Sequence, residues 1–291
     1  MLVSIGLPVR NGADRIGDAV QSALKQDHAD IELVISDNAS TDHTEEYCRE
    51  LARADSRVVY HRQPVNVGVV GNFDAVLRLS RGTYFRWMGD DDLLEPNCVS
   101  RSLEVFAEDE RLVLVTSETM YTGPDGAVMK PPTYRGTRLL SDDPIDRFTE
   151  MMVVHTQEHM LLDPLYGLMR REAVARVPRP VMLREDEVFA VMLALAGPWG
   201  HVPEILAHRG LRFRRLPEIA RALGVPGWTV HFATTLQFAA VVRHLRTLDL
   251  TPEQRRRAWE VVARTYARRQ GQTLTHRTRK AARLALAAVR R

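Results

Sequence analysis

The sequence predicts an α/β fold in which helices flank a sheet, followed by a helical C-terminal extension. Over the first 108 residues, short apolar segments of strand character alternate with segments of helical spacing. Such alternation is typical of right-handed βαβ units in a parallel sheet that is covered on both faces. From about residue 216 onward the pattern is helical, with breaks at 224–227 and 251–252. We therefore predict a main domain at 1–215, with halves 1–108 and 109–215, and an extension at 216–291.

The individual elements follow from periodicity and turn signals. In the first half we predict strands at 2–7, 31–35, 58–60 and 83–88, and helices at 14–26, 45–54, 72–79 and 96–106. In the second half we predict strands at 112–116 and 165–170, a hairpin-like turn at 123–126, and helices at 146–154 and 185–196. Polar, glycine-rich loops follow the first, second and fourth strands, at the sheet edge where ligands bind in open α/β folds.

Charge is distributed unevenly along the chain. The 291 residues carry a net charge of +3, but residues 243–291 hold 14 Lys and Arg against 3 acids, and the rest holds 26 against 34. The basic tail suggests attraction to an anionic surface. Residues 277–291, an Ala/Leu-rich stretch flanked by arginines, could form an amphipathic helix at a membrane, a packing helix or a frayed end.

Composition excludes several classes of protein. With 45 % hydrophobic residues the chain can bury a full core, and no apolar run approaches the ~20 residues that span a bilayer. The N-terminus does not read as a signal peptide. Cys48 and Cys98 lie far apart in predicted helices, which indicates buried free thiols in a reducing compartment. We expect a cytoplasmic protein, with peripheral attachment at the inner face of the membrane as the alternative.

Three consecutive carboxylates, Asp90, Asp91 and Asp92, follow Gly89 at the end of the fourth predicted strand. Carboxylate oxygens are the ligands that Mg²⁺ and Mn²⁺ prefer, and such sites usually share the ion with substrate phosphates. The run therefore predicts a divalent cation site at the ligand-binding edge. Taken alone, it also fits a solvated turn whose acids favour the dipole of the next helix.

Four segments of the first half occur in an order and spacing that is typical of one enzyme family. They are VSIGLPVRN at 3–11, ELVISDNASTD at 32–42, NVGVVGNF at 66–73, and RGTY at 81–84 leading to GDDD at 89–92. Together they resemble the inverting family-two glycosyltransferases of the GT-A fold. In the second half, REDEVF at 184–189 resembles that family's catalytic-base motif, and AHR at 207–209 resembles the strand that follows.

The resemblance implies a Rossmann-like nucleotide-diphospho-sugar transferase with a mixed sheet and Mg²⁺ or Mn²⁺ as cofactor. It implies transfer of a hexosyl or deoxyhexosyl group to the hydroxyl of a saccharide, lipid-linked saccharide or small molecule, in cell-surface polysaccharide, glycolipid or natural-product synthesis. Asp91 would be the main metal ligand, Asp92 would support it, and Asp90 would lie nearer the ribose. Many relatives carry Asp-x-Asp with its first acid where this chain has Gly89, so the division of roles stays open.

Asp37 ends the second predicted strand, where the resemblance places the base of the donor nucleotide. A carboxylate only accepts hydrogen bonds, so it suits the N–H groups of uracil, thymine or guanine. We therefore expect a UDP-, dTDP- or GDP-sugar and disfavour a CMP donor. A purely structural loop is the alternative for Asp37 and for the other residues that the resemblance places around the nucleotide: Pro8, Val9, Asn11, Asn66, Gly68 and Asn72.

Asp186 is the candidate general base that the resemblance implies. Inversion requires an acceptor hydroxyl to attack opposite the leaving group and to lose its proton as the bond forms. A carboxylate does this best with a pKa raised by burial or by neighbouring acids, which Glu185 and Glu187 could supply. The alternatives are Glu185 as the base, or acids that simply mark the start of a helix.

Two other patterns are ambiguous. His155, Glu158 and His159 match an inverted zinc-protease motif, but Asp163-Pro164 soon breaks any helix, so we favour acceptor-side or solvent-facing histidines. A basic cluster follows the last predicted strand of the main domain and could neutralise a diphosphate or form a solvated edge: Arg209, Arg212, Arg214 and Arg215.

The alternative function is a catalytically silent sugar-nucleotide binder or membrane-docking protein of the same fold. A Rossmann oxidoreductase needs Gly-x-Gly-x-x-Gly after the first strand, and a sugar nucleotidyltransferase needs a glycine-rich, arginine-containing loop there. Residues 8–12, PVRNG, match neither pattern. We expect a sugar-nucleotide donor and a hydroxyl acceptor as partners, and no nucleic acid.

Overall fold

A computed structural model describes residues 1–157, 161–211 and 214–289, with the backbone alone for residue 157 and residues 273–289. The strands are β1 Val3–Val9, β2 Ile31–Asp37, β3 Val58–Arg62, β4 Tyr84–Trp87, β5 Leu93–Leu94, β6 Leu114–Thr122, β7 Val128–Met129, β8 Leu168–Arg170 and β9 Trp199–Gly210. The helices are α1 Ile16–Leu24, α2 Thr44–Ala54, α3 Gly68–Leu79, α4 Cys98–Glu108, α5 Pro144–Gln157, α6 Arg171–Ala175, α7 Glu185–Ala196, α8 Leu216–Leu223, α9 Thr229–Leu245 and α10 Pro252–Val289. Short 3₁₀ helices lie at Arg138–Leu140 and Pro164–Tyr166.

The described strands form one mixed sheet. Its order is β3-β2-β1-β4-β8-β6-β9-β5, with β7 paired to β6. The four strands of the first half are parallel, because helical crossovers connect them. β8 then runs antiparallel between β4 and β6, and β9 returns parallel to β6. The mixed sheet flanked by helices is the predicted fold class.

Apolar side chains cover both faces of the sheet. Successive strand residues point to opposite faces, so Leu33 and Ile35 pack with helices α1, α2 and α4, whereas Val34 packs on the opposite side. Phe85 and Trp87 join that second core, where their rings meet edge to face at 4.7 Å between centroids. The free thiols Cys48 and Cys98 are buried, as the sequence predicts.

Most predicted elements are confirmed, and the differences have local causes. α3 begins at Gly68 rather than 72, because Gly68 adopts φ +81° and starts the helix where a loop was predicted. The strand predicted at 165–170 is wrong in its first half, where residues 164–166 form a 3₁₀ turn that begins at a proline. The helix predicted at 185–196 has those bounds in the structure.

The C-terminal helices α9 and α10 pack against the main domain. Phe238 and Val241 of α9 and Val261 of α10 belong to the same core cluster as Phe148 of α5. Among the described residues, no helix combines the length and the apolar character needed to cross a bilayer. The side chains at 277–291 lie outside the described part of the chain, so the predicted membrane contact stays a prediction.

The packing of Gly82 yields a stability prediction. A Cβ at Gly82 would lie 2.7 Å from the backbone nitrogen of Ser4 and 2.8 Å from the carbonyl oxygen of Leu2. We therefore expect Gly82→Ala to lower the free energy of unfolding by about 1–3 kcal/mol. Gly17→Ala is the matched control, since Gly17 is helical and its nearest neighbour would be 3.6 Å away. Gly17→Ala should raise the free energy of unfolding by about 0.5–1 kcal/mol. Urea denaturation measures the free energy of unfolding of both variants, and equal values would contradict the close packing at Gly82.

Candidate active site

Three consecutive acids occupy the first turn of α7, and arginines hold the two outer ones. Glu185 accepts two hydrogen bonds from Arg179, at 2.7 and 2.9 Å. The Arg179 side chain is only 3 % exposed and lies over the ring of Phe73, 4.6 Å from its centroid. Such a desolvated, bidentate pair fixes Glu185 in place.

Glu187 is held from both sides. Its Oε1 accepts a hydrogen bond from Arg184 at 2.9 Å, and its Oε2 accepts bonds from Gln237 at 2.9 Å and Arg269 at 2.5 Å. Burial alone would raise the pKa of Glu187, but the charges of Arg269, His155 and Arg184 hold it below its usual value. Glu187 is therefore a charged, fully engaged group.

Asp186 lies between these two acids and differs from both. Its carboxylate accepts the backbone N–H of Glu187 and meets no side-chain donor among the described residues. Burial, and then the charges of Glu185 and Glu187, raise the pKa of Asp186 to about 6. Of the three acids, Asp186 is thus the one whose oxygens remain available to a bound hydroxyl, with a pKa suited to accepting a proton near neutral pH.

A cavity of about 670 Å³ opens beside these acids. Asp186, Glu185 and Glu187 line it together with Asp163, Tyr166 and Arg209 from the centre of the fold, and with Thr234, Arg269 and Gln272 from the C-terminal helices. A volume of this size suits a sugar-containing ligand.

The acids after β4 lie at the carboxyl end of the parallel strands. Asp90 pairs with Arg15, which follows the β1 loop. Asp91 lies near the end of β9, since a Cβ at Gly210 would be 3.2 Å from its Oδ2. Asp92 turns inward, where it is 4 % exposed and accepts the backbone N–H of Gly89 at 2.8 Å.

These acids provide an oxygen-only donor set, which fits Mg²⁺ or Mn²⁺. Among the described residues no group of three or more His, Cys, Asp or Glu side chains is arranged to hold a metal ion. Mg²⁺ is typically bound by one or two carboxylates plus phosphates and waters, so Asp91 with a donor diphosphate matches that pattern. The oxygens of Asp92 face the Gly89 N–H and Arg209, and its supporting role at the metal stays a prediction.

Arg209 connects the acid run to the cavity. Its Nε lies 3.2 Å from both oxygens of Asp92, and its Nη1 pairs with Asp163. Its guanidinium lies 3.5 Å from the ring centroid of Tyr166. The charge of Asp163 in turn contributes to the raised pKa of Asp186. The two acidic motifs, far apart in sequence, are therefore connected through Arg209 and Asp163, both of which line the cavity beside Asp186.

Asp37 is fully buried at the end of β2. It accepts hydrogen bonds from Tyr60 Oη at 2.8 Å and from the Ser40 backbone N–H at 2.9 Å. These contacts fit the local structural role that was its alternative, and a nucleotide base would have to use its remaining lone pairs.

A scan against protein-family models matches residues 4–177 to "Glycosyl transferase family 2". The chain belongs to this family. Curated relatives include the chondroitin synthase and the hyaluronan synthase of Pasteurella multocida, each 34 % identical over 128 residues, which is 44 % of this chain and 13 % of theirs. The chondroitin synthase of Escherichia coli is 37 % identical over 114 residues, or 39 % of this chain and 16 % of that protein. The chain thus corresponds to a small part of these relatives.

Solved structures of low sequence identity share the fold of this family-2 chain. S. aureus TarS in complex with UDP-GlcNAc aligns with a TM-score of 0.67 at 15 % identity, covering 92 % of this chain and 72 % of that one. The mannosyltransferase PcManGT of Pyrobaculum calidifontis, in complex with GDP-Man and Mn²⁺, aligns with a TM-score of 0.57 at 17 % identity, covering 98 % and 80 %. The fold is therefore the GT-A fold of glycosyltransferases.

Other predicted site residues of this family-2 protein surround the carboxyl ends of β1 and β2. Asn72 is buried. Its side-chain amide forms hydrogen bonds with Ser36 and with the carbonyl oxygen of Val9, so it links the two strands. Asn11 has φ 50°, and its Oδ1 accepts the backbone N–H of Thr41 at 2.9 Å. Nucleotide binding stays a prediction for all members of this group: Pro8, Val9, Asn11, Asp37, Asn66, Gly68, Asn72 and Asp90.

The two ambiguous patterns separate in the structure. His155 lines the cavity, whereas Glu158 and His159 lie outside the described residues. In the basic cluster the side chain of Arg209 is 18 % exposed and paired with two acids, so a solvated edge is wrong for it. Arg214 and Arg215 are exposed, and Arg212 is not described. His208 pairs with Glu95 at 2.7 Å.

Sequence reasoning missed the groups that organise α7: Arg179, Arg184, Gln237 and Arg269. Arg179 lies between two prolines, and nothing in that pattern signals a buried cation. Gln237 and Arg269 belong to helices without recognisable motifs.

Proposed function

We propose that this protein is a metal-dependent inverting glycosyltransferase that moves a sugar from a nucleotide-diphospho sugar to an acceptor hydroxyl. The observation that carries the proposal is the state of Asp186, a carboxylate that is exposed to the cavity and has a raised pKa, between two acids held by arginines. The membership in glycosyl transferase family 2 supports the reaction class.

In the proposed reaction Asp186 accepts the proton of the acceptor hydroxyl as its oxygen forms a bond to the anomeric carbon. The bond from that carbon to the diphosphate breaks on the opposite face, and the configuration inverts. A divalent cation bound at Asp91 would supply Lewis-acid stabilisation of the charge on the diphosphate. Arg179 and Arg269 keep Glu185 and Glu187 in place, so that the proton passes to Asp186.

The donor is proposed to be a UDP-, dTDP- or GDP-sugar. Structural relatives are described in complex with UDP-GlcNAc in one case and with GDP-Man and Mn²⁺ in another. The names of the curated relatives, chondroitin and hyaluronan synthases, favour a role in polysaccharide synthesis over glycolipid or natural-product synthesis. We propose a saccharide acceptor on that basis.

Donor binding and turnover test this function. We expect one of the three nucleoside diphosphates, with Mn²⁺, to raise the free energy of unfolding by about 2.7 kcal/mol at a hundredfold excess over its dissociation constant. The matching nucleotide sugar should release nucleoside diphosphate slowly in the presence of Mn²⁺ and not in the presence of a chelator. Thermal-shift measurements report the stabilisation by nucleotide, and a coupled assay for nucleoside diphosphate reports the turnover.

Asp91→Asn should abolish the Mn²⁺-dependent part of the shift, with Asp249→Asn, an exposed acid in the loop before α10, as the control. Binding without release from any donor, in the presence of saccharide acceptors, would favour a silent nucleotide-sugar binder. No shift with any nucleotide would reject the donor proposal altogether.

A further inference from the structure

The C-terminal helices contribute to the cavity although they lie beyond the segment that matches the family. The match ends at residue 177, whereas α9 begins at Thr229 and α10 at Pro252. Thr234, Arg269 and Gln272 from these helices nevertheless line the cavity beside Asp186. This wall is therefore built by residues outside the matched segment.

Arg269 is the central contact of this wall. Its side chain is 10 % exposed, and its Nη2 donates to Glu187 Oε2 at 2.5 Å and to the carbonyl oxygen of His155 at 2.6 Å. Its Nη1 donates to Gln237 Oε1 at 2.8 Å, and Gln237 donates to Glu187 at 2.9 Å. One guanidinium thus joins α5, α7, α9 and α10 at a single buried point.

The segment that Arg269 holds needs such support. Arg184, directly before α7, has φ 62° and ψ 32°, a left-handed conformation that costs free energy for a residue with a side chain. No side chain caps the N-terminus of α7, and three acids crowd its first turn. Contacts at Glu187 from Arg184, Gln237 and Arg269 fix the orientation of that turn, and Asp186 is the adjacent residue.

We infer that Arg269, with Gln237, is a positioning residue that orients Asp186, so that the C-terminal extension completes the active site. This inference rests on the proposed function for its catalytic consequence. Its structural part, that α10 holds the first turn of α7, stands on the contacts alone. The chemistry is that of a buried guanidinium that donates one hydrogen bond to the Glu187 carboxylate and others to Gln237 and the His155 carbonyl oxygen, so that geometry and charge are both fixed.

The test compares Arg269→Gln with Arg268→Gln in the full-length protein. Arg268 is the adjacent residue on α10 and is exposed, so it is a matched control. Hydrogen–deuterium exchange of residues 183–190 reports the positioning without any activity. We expect faster exchange of this segment in Arg269→Gln only, at a pH where all variants are folded.

Activity provides the second readout. We expect kcat/KM of Arg269→Gln to fall by about tenfold to 100-fold. The acidic limb of the pH profile of kcat/KM should also move to higher pH, because one positive charge near the acids is lost while Glu185 and Glu187 remain. Arg269→Lys should restore the position of the limb but not the full rate. The charged and titratable groups that face Asp186 across the cavity are Asp163, Glu185, Glu187, His155, Arg179, Arg184, Arg209 and Arg269.

The outcomes separate this inference from the proposed function. If the wild type turns over donor and Arg269→Gln matches Arg268→Gln in exchange, rate and pH limb, the positioning role is refuted and the function stands. If exchange rises only in Arg269→Gln while no donor is turned over by the wild type, the positioning role holds and the proposed function fails. A lower rate with an unmoved pH limb and unchanged exchange would also refute the positioning role.

Discussion

Asp186→Asn should lower the rate of sugar transfer by about 10²–10⁴-fold while leaving donor binding intact. The substitution keeps the size of the side chain but removes its ability to accept a proton. The wild-type carboxylate is the one acid of the first turn of α7 without a side-chain partner among the described residues, and its pKa is raised to about 6. Transfer assays with saturating acceptor and nucleotide titrations with Mn²⁺ measure the two effects separately.

The same substitution should stabilise the fold at neutral pH. Because the pKa of Asp186 is higher in the folded state, the unfolded chain loses this proton first as pH rises, and stability falls between about pH 4 and pH 6. Because the Asp186 side chain is exposed to the cavity, solvent screening makes the free-energy cost much smaller than the full pKa shift would give. Asp186→Asn should therefore gain a modest amount of stability above pH 6, and nothing below pH 4.

Glu185→Gln is the informative comparison. It leaves the Arg179 guanidinium, 3 % exposed, without its carboxylate, and loss of one partner of a buried ion pair typically costs about 3–5 kcal/mol. We expect Glu185→Gln to lower the free energy of unfolding, whereas the molecules that remain folded should still catalyse sugar transfer. If Glu185→Gln is stable but inactive, and Asp186→Asn retains transfer, the base assignment is wrong.

The contrast between these acids shows what the sequence could and could not supply. The helix at 185–196 and its acidic first turn are evident from local pattern, because apolar spacing and charged first turns are properties of neighbouring residues. Which of the three acids remains unpaired depends on Arg179, Gln237 and Arg269. Those residues approach α7 only after folding, and no local pattern encodes their pairing.

The fold, like the active site, has features that local sequence patterns predict and features that depend on contacts between distant segments. The parallel direction of β1 to β4 follows from alternating strands and helices, whereas their order β3-β2-β1-β4 was not predicted. The antiparallel insertion of β8 between β4 and β6 joins segments that are far apart in the chain, and its strand is only three residues long. Its pairing was therefore not derivable from alternation, and the resemblance implied only that the sheet is mixed.

Arg209→Met should be among the most destabilising single substitutions in this protein. Arg209 is the cation between Asp92, which is 4 % exposed, and Asp163, and it lies over the Tyr166 ring. Methionine fills similar space but leaves Asp92 as a buried carboxylate without a cation. We expect a loss of about 3–5 kcal/mol at pH 7 in urea denaturation, with exposed Arg214→Met as a control expected to stay within about 0.5 kcal/mol.

The pH dependence of this deficit identifies its cause. Burial already raises the pKa of Asp92, and loss of Arg209 would raise it further. A carboxyl with a raised pKa in the folded state costs stability as pH rises, so the deficit of Arg209→Met should shrink as pH falls and Asp92 takes up a proton. Adding Asp92→Asn should recover part of the deficit at pH 7, because removing both partners avoids the isolated charge. A deficit that is the same at pH 5 and pH 7, or unaffected by Asp92→Asn, would mean that Arg209 acts by packing on Tyr166 and not as the counter-charge that joins the two acidic motifs.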